Sequence, residues 1–147
     1  MPKLIAKNSK NFYQYQILKK YTTGIKLLGS EVKSIKNSNF AFSEAYCFIK
    51  DGELYLKNMF VSEYKRGGKF FNHQPLRDRK LLLTKKEINE LEFKLKQKGL
   101  TIVPLTIILA DNGYIKMEIG LVKGKTLYDK RMSLIEKEHK KEIKEKL

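Results

Sequence analysis

The stretch "TIVPLTIILADNGYIKMEIGLV", residues 101–122, limits the fold more than any other part of the chain. Two arms rich in β-branched residues flank Asp111-Asn112-Gly113, a turn composition. The second arm sets Ile115, Met117, Ile119 and Leu121 on one face and Tyr114, Lys116 and Glu118 on the other. A period of two means a strand with one buried and one wet side. A second hairpin, "AYCFIKDGELYLKNMFV" (45–61), turns at Asp51-Gly52, the composition of a tight primed turn. Further strand-like text is "YQYQIL" (13–18) and "TGIKLL" (23–28).

Helical signals fall between these strands. In "EVKSIK", Ser30 reads as an N-cap, Glu31 favours the first turn, and Val32, Ile35 and Lys36 suit a short helix. "EYKRGGKFFNHQPLRDRK" (63–80) is irregular and basic. Gly67-Gly68 reads as a mobile loop, and Pro75 as the start of a short helix through Arg77, Lys80 and Leu83. Thr84 and Glu87 form a capping-box pattern for a longer helix with Ile88, Leu91 and Leu95 as its stripe, closed by Gly99. Residues 1–11 read as a basic arm without periodicity. Short strands with about three helices predict a mainly β domain, a small antiparallel barrel of the oligonucleotide-binding type, because a closed barrel removes exposed edges.

The formal charge is +15, from 31 Lys and Arg against 16 Asp and Glu. Such an excess points to a polyanionic partner, nucleic acid before membrane. One cysteine, Cys47, cannot make an internal disulfide, which fits a reducing compartment. No apolar h-region stands near the start, and the run Ile102–Ala110 is too short to span a bilayer. A cytoplasmic protein, acting as a monomer and away from membranes, is expected. With two histidines and one cysteine there is no metal-ligand spacing. No phosphate-cradling loop or nucleophile elbow occurs either. His73 reads as a loop histidine satisfied by water. The chain is therefore expected to be no enzyme, with no cofactor, and to work with Lys and Arg for phosphates and Tyr and Phe for bases.

Residues 124–147, "GKTLYDKRMSLIEKEHKKEIKEKL", lack the turn residues of the first 123. Tyr128, Met132, Ile135, His139, Ile143 and Leu147 share one helical face, with lysines opposite. Two readings fit: a terminal helix docked on its own domain, or a segment that folds on meeting a polyanion.

The motifs "IAKNSK" (5–10), "GSEVKSIK" (29–36), "DGELYL" (51–56), "PLRDRKLLLTKKEI" (75–88), "KGLTIVPL" (98–105) and "GKTLYDKR" (124–131) occur in collinear order over nearly the whole chain. In them the sequence resembles the SsrA-binding protein (small protein B) family, partners of transfer-messenger RNA. The resemblance implies an oligonucleotide-binding-like barrel (1–123) that binds the tRNA-like domain of transfer-messenger RNA and delivers it to stalled ribosomes. It also implies a basic tail (124–147), disordered when free. The tail becomes helical in the empty messenger channel and signals to the decoding centre through small-subunit rRNA.

Residue roles come with the resemblance. Asn8 and Lys10 match an arm that touches RNA. Glu31 and Lys33 lie in "EVKS", where Glu31 serves either an RNA hydroxyl or its own helix start. Arg79 and Lys80 should meet phosphates, with Leu82 packing beneath them, and Lys123 and Lys125 approach RNA where the barrel ends. Asp129, Lys130 and Arg131 match the Asp-Lys-Arg needed for tagging, and Tyr128 the position that stacks on an rRNA base. The chain departs from the family pattern at Thr22, Asn39, Thr126 and Ile135, which implies weaker individual contacts. The alternative from a different class is a generic barrel module for single-stranded nucleic acid; a nuclease is a third and lacks a carboxylate cluster.

Overall fold

The computed structural model describes residues 2–64 and 72–124. The expected loop at Gly67-Gly68 and the tail beyond Gly124 lie outside them. In chain order the elements are β1 (Lys3–Lys7), α1 (Ser9–Gln14), β2 (Tyr15–Ile25), α2 (Gly29–Lys36), β3 (Phe40–Ala41), β4 (Tyr46–Lys50), β5 (Glu53–Lys57), β6 (Phe60–Val61), β7 (Arg79–Leu82), α3 (Lys85–Lys94), β8 (Leu100–Leu109) and β9 (Ile115–Gly124).

Pairing is antiparallel throughout and runs in a closed circuit, β8–β4–β5–β7–β2–β9–β8, with β1 added on β8. This is the expected small barrel. Its seam is thinnest between β4 and β8, where only Cys47 and Ile102 pair. β3 and β6 form a separate two-stranded ladder.

The two hairpins form where the turn chemistry placed them. Asp51 and Gly52 both have positive φ, 53° and 77°, and Lys50 faces Glu53 across the turn. At the other, Ala110 N–H donates to Tyr114 O at 2.9 Å and Tyr114 N–H to Asn112 Oδ1 at 3.1 Å. Ile115, Met117, Ile119 and Leu121 all point into the core, beside Leu54, Leu56, Leu81, Ile102 and Ile107. Ile35 of α2 and Ile88 and Leu91 of α3 join the same cluster. β8 is apolar on both faces for a reason. Its outer side, Val103 and Leu105, packs with Val122 under Phe12, Tyr15 and Ile17 as a second small cluster.

Several expectations are corrected. The N-terminal arm is not irregular: β1 pairs with β8 about a hundred residues away, a non-local contact that no local pattern announces. α1 follows it, started by Asn8. Residues 15–18 and 23–25 of the two expected strand fragments belong to one long β2, kinked by a bulge between Ile17 and Lys19, while Tyr13 and Gln14 close α1. The helix expected after Pro75 is absent. A turn leads instead into β7, which fills the place between β5 and β2. The three-helix count holds with α1 taking that helix's place among the described residues. Ser30 lies inside α2, whose cap is Leu28, and α3 ends at Lys94 rather than at Gly99. The Thr84–Glu87 box does form, with Glu87 N–H donating to Thr84 Oγ1 at 3.2 Å and Thr84 N–H to Glu87 Oε1 at 3.3 Å. Tyr21 ties α3 to β2 by donating its hydroxyl to Glu90 Oε1, which also receives Lys19 at 2.8 Å.

Candidate nucleic-acid interface

Strand parity sorts the residues of "RKLL" (79–82). Arg79 and Leu81 are fully buried; Lys80 is half-buried and Leu82 exposed. Leu82 lies opposite Gly24 of β2, and a side chain there would meet the Leu82 Cβ at 3.4 Å. Gly24 in turn faces the exposed Lys116 of β9, and the exposed Thr22 faces Glu118. Lys80, Leu82, Gly24, Thr22, Lys116 and Glu118 therefore share one outward face across β7, β2 and β9. A half-exposed leucine with lysines around it has the chemistry to rest on a sugar or base while they meet phosphates, which makes this face the candidate contact surface.

Lys80 Nζ lies 3.2 Å from Glu53 Oε1, with both groups partly exposed. An exposed pair of this kind contributes about 0–1 kcal/mol. Exchanging the carboxylate for a phosphate costs correspondingly little. The same holds for Lys10, whose ammonium meets Glu44 at 2.8 Å in the open. That bond holds the Lys10 pKa above its ordinary value.

Arg79 has a different position from the one expected. Its side chain has no exposure, and Nε donates to Glu31 Oε2 at 2.8 Å, Nη1 to Met59 O and Arg77 O at 2.9 Å, and Nη2 to Pro75 O at 3.1 Å. Four of the five guanidinium N–H groups thus have protein acceptors, which leaves Lys80 as the partly exposed cation of the pair. Glu31 is equally buried and accepts from Arg79, from Arg77 Nη2 at 2.7 Å and from Leu28 N–H at 2.8 Å. Of its two expected roles, the helix start is the one the structure gives it. Burial on its own would raise the Glu31 carboxyl. The hydrogen bonds from Arg77 and Leu28, with the charges of Arg79 and Arg77, outweigh this and hold it below the ordinary range. Arg77 keeps about a third of its side-chain surface open while gripping Glu31 with two nitrogens. It is a preset cation at the rim of the face.

The remaining candidates are dispersed. Asn8 is buried: its N–H donates to Leu105 O at 2.7 Å and its side chain caps α1 and reaches Pro104 O. It shapes the arm that carries Lys10. Lys33 is exposed on α2 with its ammonium 5.2 Å from the centre of the Tyr64 ring. Lys123 is exposed near the end of β9, seven residues and roughly 23 Å of strand beyond Lys116. Lys125, Tyr128, Asp129, Lys130 and Arg131 lie outside the described residues, as do Thr126 and Ile135. Asn39 is exposed. His73 is not a water-satisfied loop residue. It is buried, with Nε2 donating to Val61 O and Nδ1 accepting from the Ser30 hydroxyl, both at 2.8 Å. Leu82, expected to pack beneath the surface, is instead exposed on it, and Lys116 and Arg77 were not among the expected site residues. Reading "RKLL" as a strand, in place of a helix, would have turned Leu82 outward; the alternation of β9 already placed Lys116 on the wet side.

Among the described residues no group of three His, Cys, Asp or Glu could hold a metal ion. No described helix is long and apolar enough to cross a membrane.

Known proteins resemble this chain in sequence and fold. The profile of the family described as "SmpB protein" matches residues 5–147. The SsrA-binding protein of Prochlorococcus marinus (strain MIT 9515) is 49% identical over 142 residues, covering 97% of this chain and 86% of that protein. The SsrA-binding protein of Carboxydothermus hydrogenoformans is 46% identical over 147 residues, covering 100% and 97%. Among solved structures, a chain from "tmRNA-SmpB: a journey to the center of the bacterial ribosome" superposes with a TM-score of 0.67 at 41% identity, covering 89% of this chain and 87% of that one. Barrel, collinear motifs and end-to-end likeness agree: the chain belongs to the SmpB family of SsrA-binding proteins.

Proposed function

We propose that this chain is the RNA-binding adaptor of trans-translation: it binds the tRNA-like domain of transfer-messenger RNA and delivers it to ribosomes stalled on truncated messages. The observation that carries the reading is the family match over 5–147, which takes in both barrel and tail. The lysine-bordered face of β7, β2 and β9 supplies the physical means. Phosphate contacts by Lys80 and Lys116, with Arg77 at the rim, release counterions from the RNA, and Leu82 gives the apolar contact between them. Lys10, Lys33, Lys123 and Lys125 extend the positive field around this centre, and Glu31, Arg79 and Asn8 hold the backbone that presents it.

The adaptor acts as a cytoplasmic monomer and performs no catalysis of its own. Residues 124–147 enter the empty messenger channel, where Tyr128 stacks on an rRNA base and Asp129, Lys130 and Arg131 report the absence of a codon. Ordering of that segment is offset by phosphate attraction gained on binding.

Binding to the tRNA-like domain is measured against an ordinary tRNA of equal length. Preference for the tRNA-like domain is expected, and equal affinity refutes the reading. Truncation after Gly124 leaves β9 whole and should preserve that preference while abolishing peptide tagging on stalled ribosomes. The variant Asp129→Ala with Lys130→Ala and Arg131→Ala should do the same; loss of RNA binding in it would move these residues to the barrel contact.

A further inference from the structure

The outward side of β4 and β5 carries three rings that the core does not use. Phe48 and Tyr55 face each other across the strands with centroids 5.4 Å apart and planes 24° from parallel. Tyr46 adjoins Phe48 at 6.4 Å and is 38% exposed. None of the three belongs to either apolar cluster, while the intervening Cys47, Leu54 and Leu56 are buried. Lysines border the row: Lys57 lies opposite Tyr46, and Lys80 opposite Tyr55.

Cross-strand packing accounts for the Phe48–Tyr55 pair, since facing aromatic side chains stabilise a hairpin. It does not account for Tyr46. That ring faces a lysine across the strands and borders a cleft of about 160 Å³ where β4 and β8 separate beneath α1. Lys10, Gln14 and Glu44 also line the cleft, with Lys10 bonded to Glu44 at 2.8 Å in the open, so exchangeable hydrogen-bonding groups stand beside an exposed aromatic ring. An unpaired nucleobase needs that combination: a π-face to stack on, donors and acceptors for its edge, and cations for its phosphates. A paired duplex offers no free base faces there and meets only the lysines.

We infer that Tyr46, Phe48 and Tyr55 form a stacking platform for unpaired bases of a single-stranded RNA segment, with its phosphates held by Lys57 and Lys80. The platform rests on the proposed RNA-binding role of the adjoining face, because Lys80 belongs to both. It adds a second mode to that role, one that selects unpaired over paired RNA.

The test uses the full chain with Tyr46→Leu and Tyr55→Leu, which keep apolar bulk on the strands and remove two of the three π-faces. A second variant, Tyr46→Phe with Tyr55→Phe, keeps the rings. Binding is measured to an unstructured oligoadenylate of about eight nucleotides and, separately, to the folded tRNA-like domain. The leucine variant should lose about tenfold or more in oligoadenylate affinity, as expected for one or two lost stacks. Its affinity for the tRNA-like domain should stay within about twofold, a change of under roughly 0.5 kcal/mol. The phenylalanine variant should bind both as the native chain does. Native-like oligoadenylate binding by the leucine variant overturns the platform. So does equal loss of both RNAs in a leucine variant whose thermal unfolding is unchanged, or failure of the phenylalanine variant to restore binding. Should the native chain bind oligoadenylate but not prefer the tRNA-like domain, the adaptor reading fails while the platform stands.

Discussion

Arg79 and Lys80 are neighbours in the chain, both cationic and both paired with a glutamate, yet they belong to different parts of the molecule. The Glu31–Arg79 pair has no exposure on either side and a separation of 2.8 Å; the Glu53–Lys80 pair is 42% and 32% exposed at 3.2 Å. Strand alternation alone separates them, since successive residues of β7 point to opposite faces. The inner pair must be complete. Its charges are stripped of water, and the Met59, Pro75 and Arg77 carbonyls accept three of the four guanidinium N–H groups that Glu31 leaves free. The outer pair is expendable and can give way to a phosphate. Positive charge is thus structural at Arg79 and open to exchange at Lys80, where the proposed RNA contact would lie.

The sharpest way to break this contrast is Arg79→Met. It leaves Glu31 buried with Arg77 as its one remaining cationic partner, and a loss of about 3–5 kcal/mol in urea unfolding is expected. A native-like midpoint would mean that the buried pair is no keystone. Because the Glu31 pKa is lowered by folding, its contribution is fully present above the unfolded carboxyl value of about 4.3 and disappears as pH falls through the lower folded one. Unfolding followed between neutral and acid pH should therefore show a falling limb below about pH 4 in the native chain. Glu31→Gln should be less stable at neutral pH and have a flatter limb; an identical acid slope in both proteins rules out Glu31 as its source.

Lys80→Ala sharpens the other half. Stability should change by less than about 1 kcal/mol. Affinity for the tRNA-like domain should fall by about tenfold or less, and the logarithmic salt slope should shrink by about 0.9. An unaltered slope would remove Lys80 from the interface. The smallest effect is expected of Tyr21→Phe, which deletes the hydroxyl donated to Glu90 and leaves Lys19 in place. About 1 kcal/mol of stability should be lost with RNA affinity unchanged. A drop in RNA affinity larger than that in stability would make the β2–α3 tie part of the interface.

What could be read from the sequence was local or periodic. Asp51-Gly52 and Asp111-Asn112-Gly113 carry their turns in their own backbone preferences, and the period-two pattern of 115–121 fixes which side of β9 is wet. The Thr84–Glu87 box needs only four consecutive residues. The arm 3–7 was illegible because its partner is the far edge of β8, and nothing in "KLIAK" says which edge will be free. "PLRDRKLLL" misled because its apolar residues suit a helix as well as a strand over so short a run.

The candidate site divides along the same line. The sequence by itself determined that the chain is a cationic β domain with helical insertions, and its motifs carried the family likeness, because turn chemistry, alternation and net charge need no partner to be expressed. Only the tertiary structure decided that Glu31 and Arg79 face each other in a dry interior while Lys80, Leu82 and Lys116 gather on one open face. Closure of the barrel brings β2 between β7 and β9, and the exclusion of water on its inner side is a property of the closed sheet that no single strand possesses.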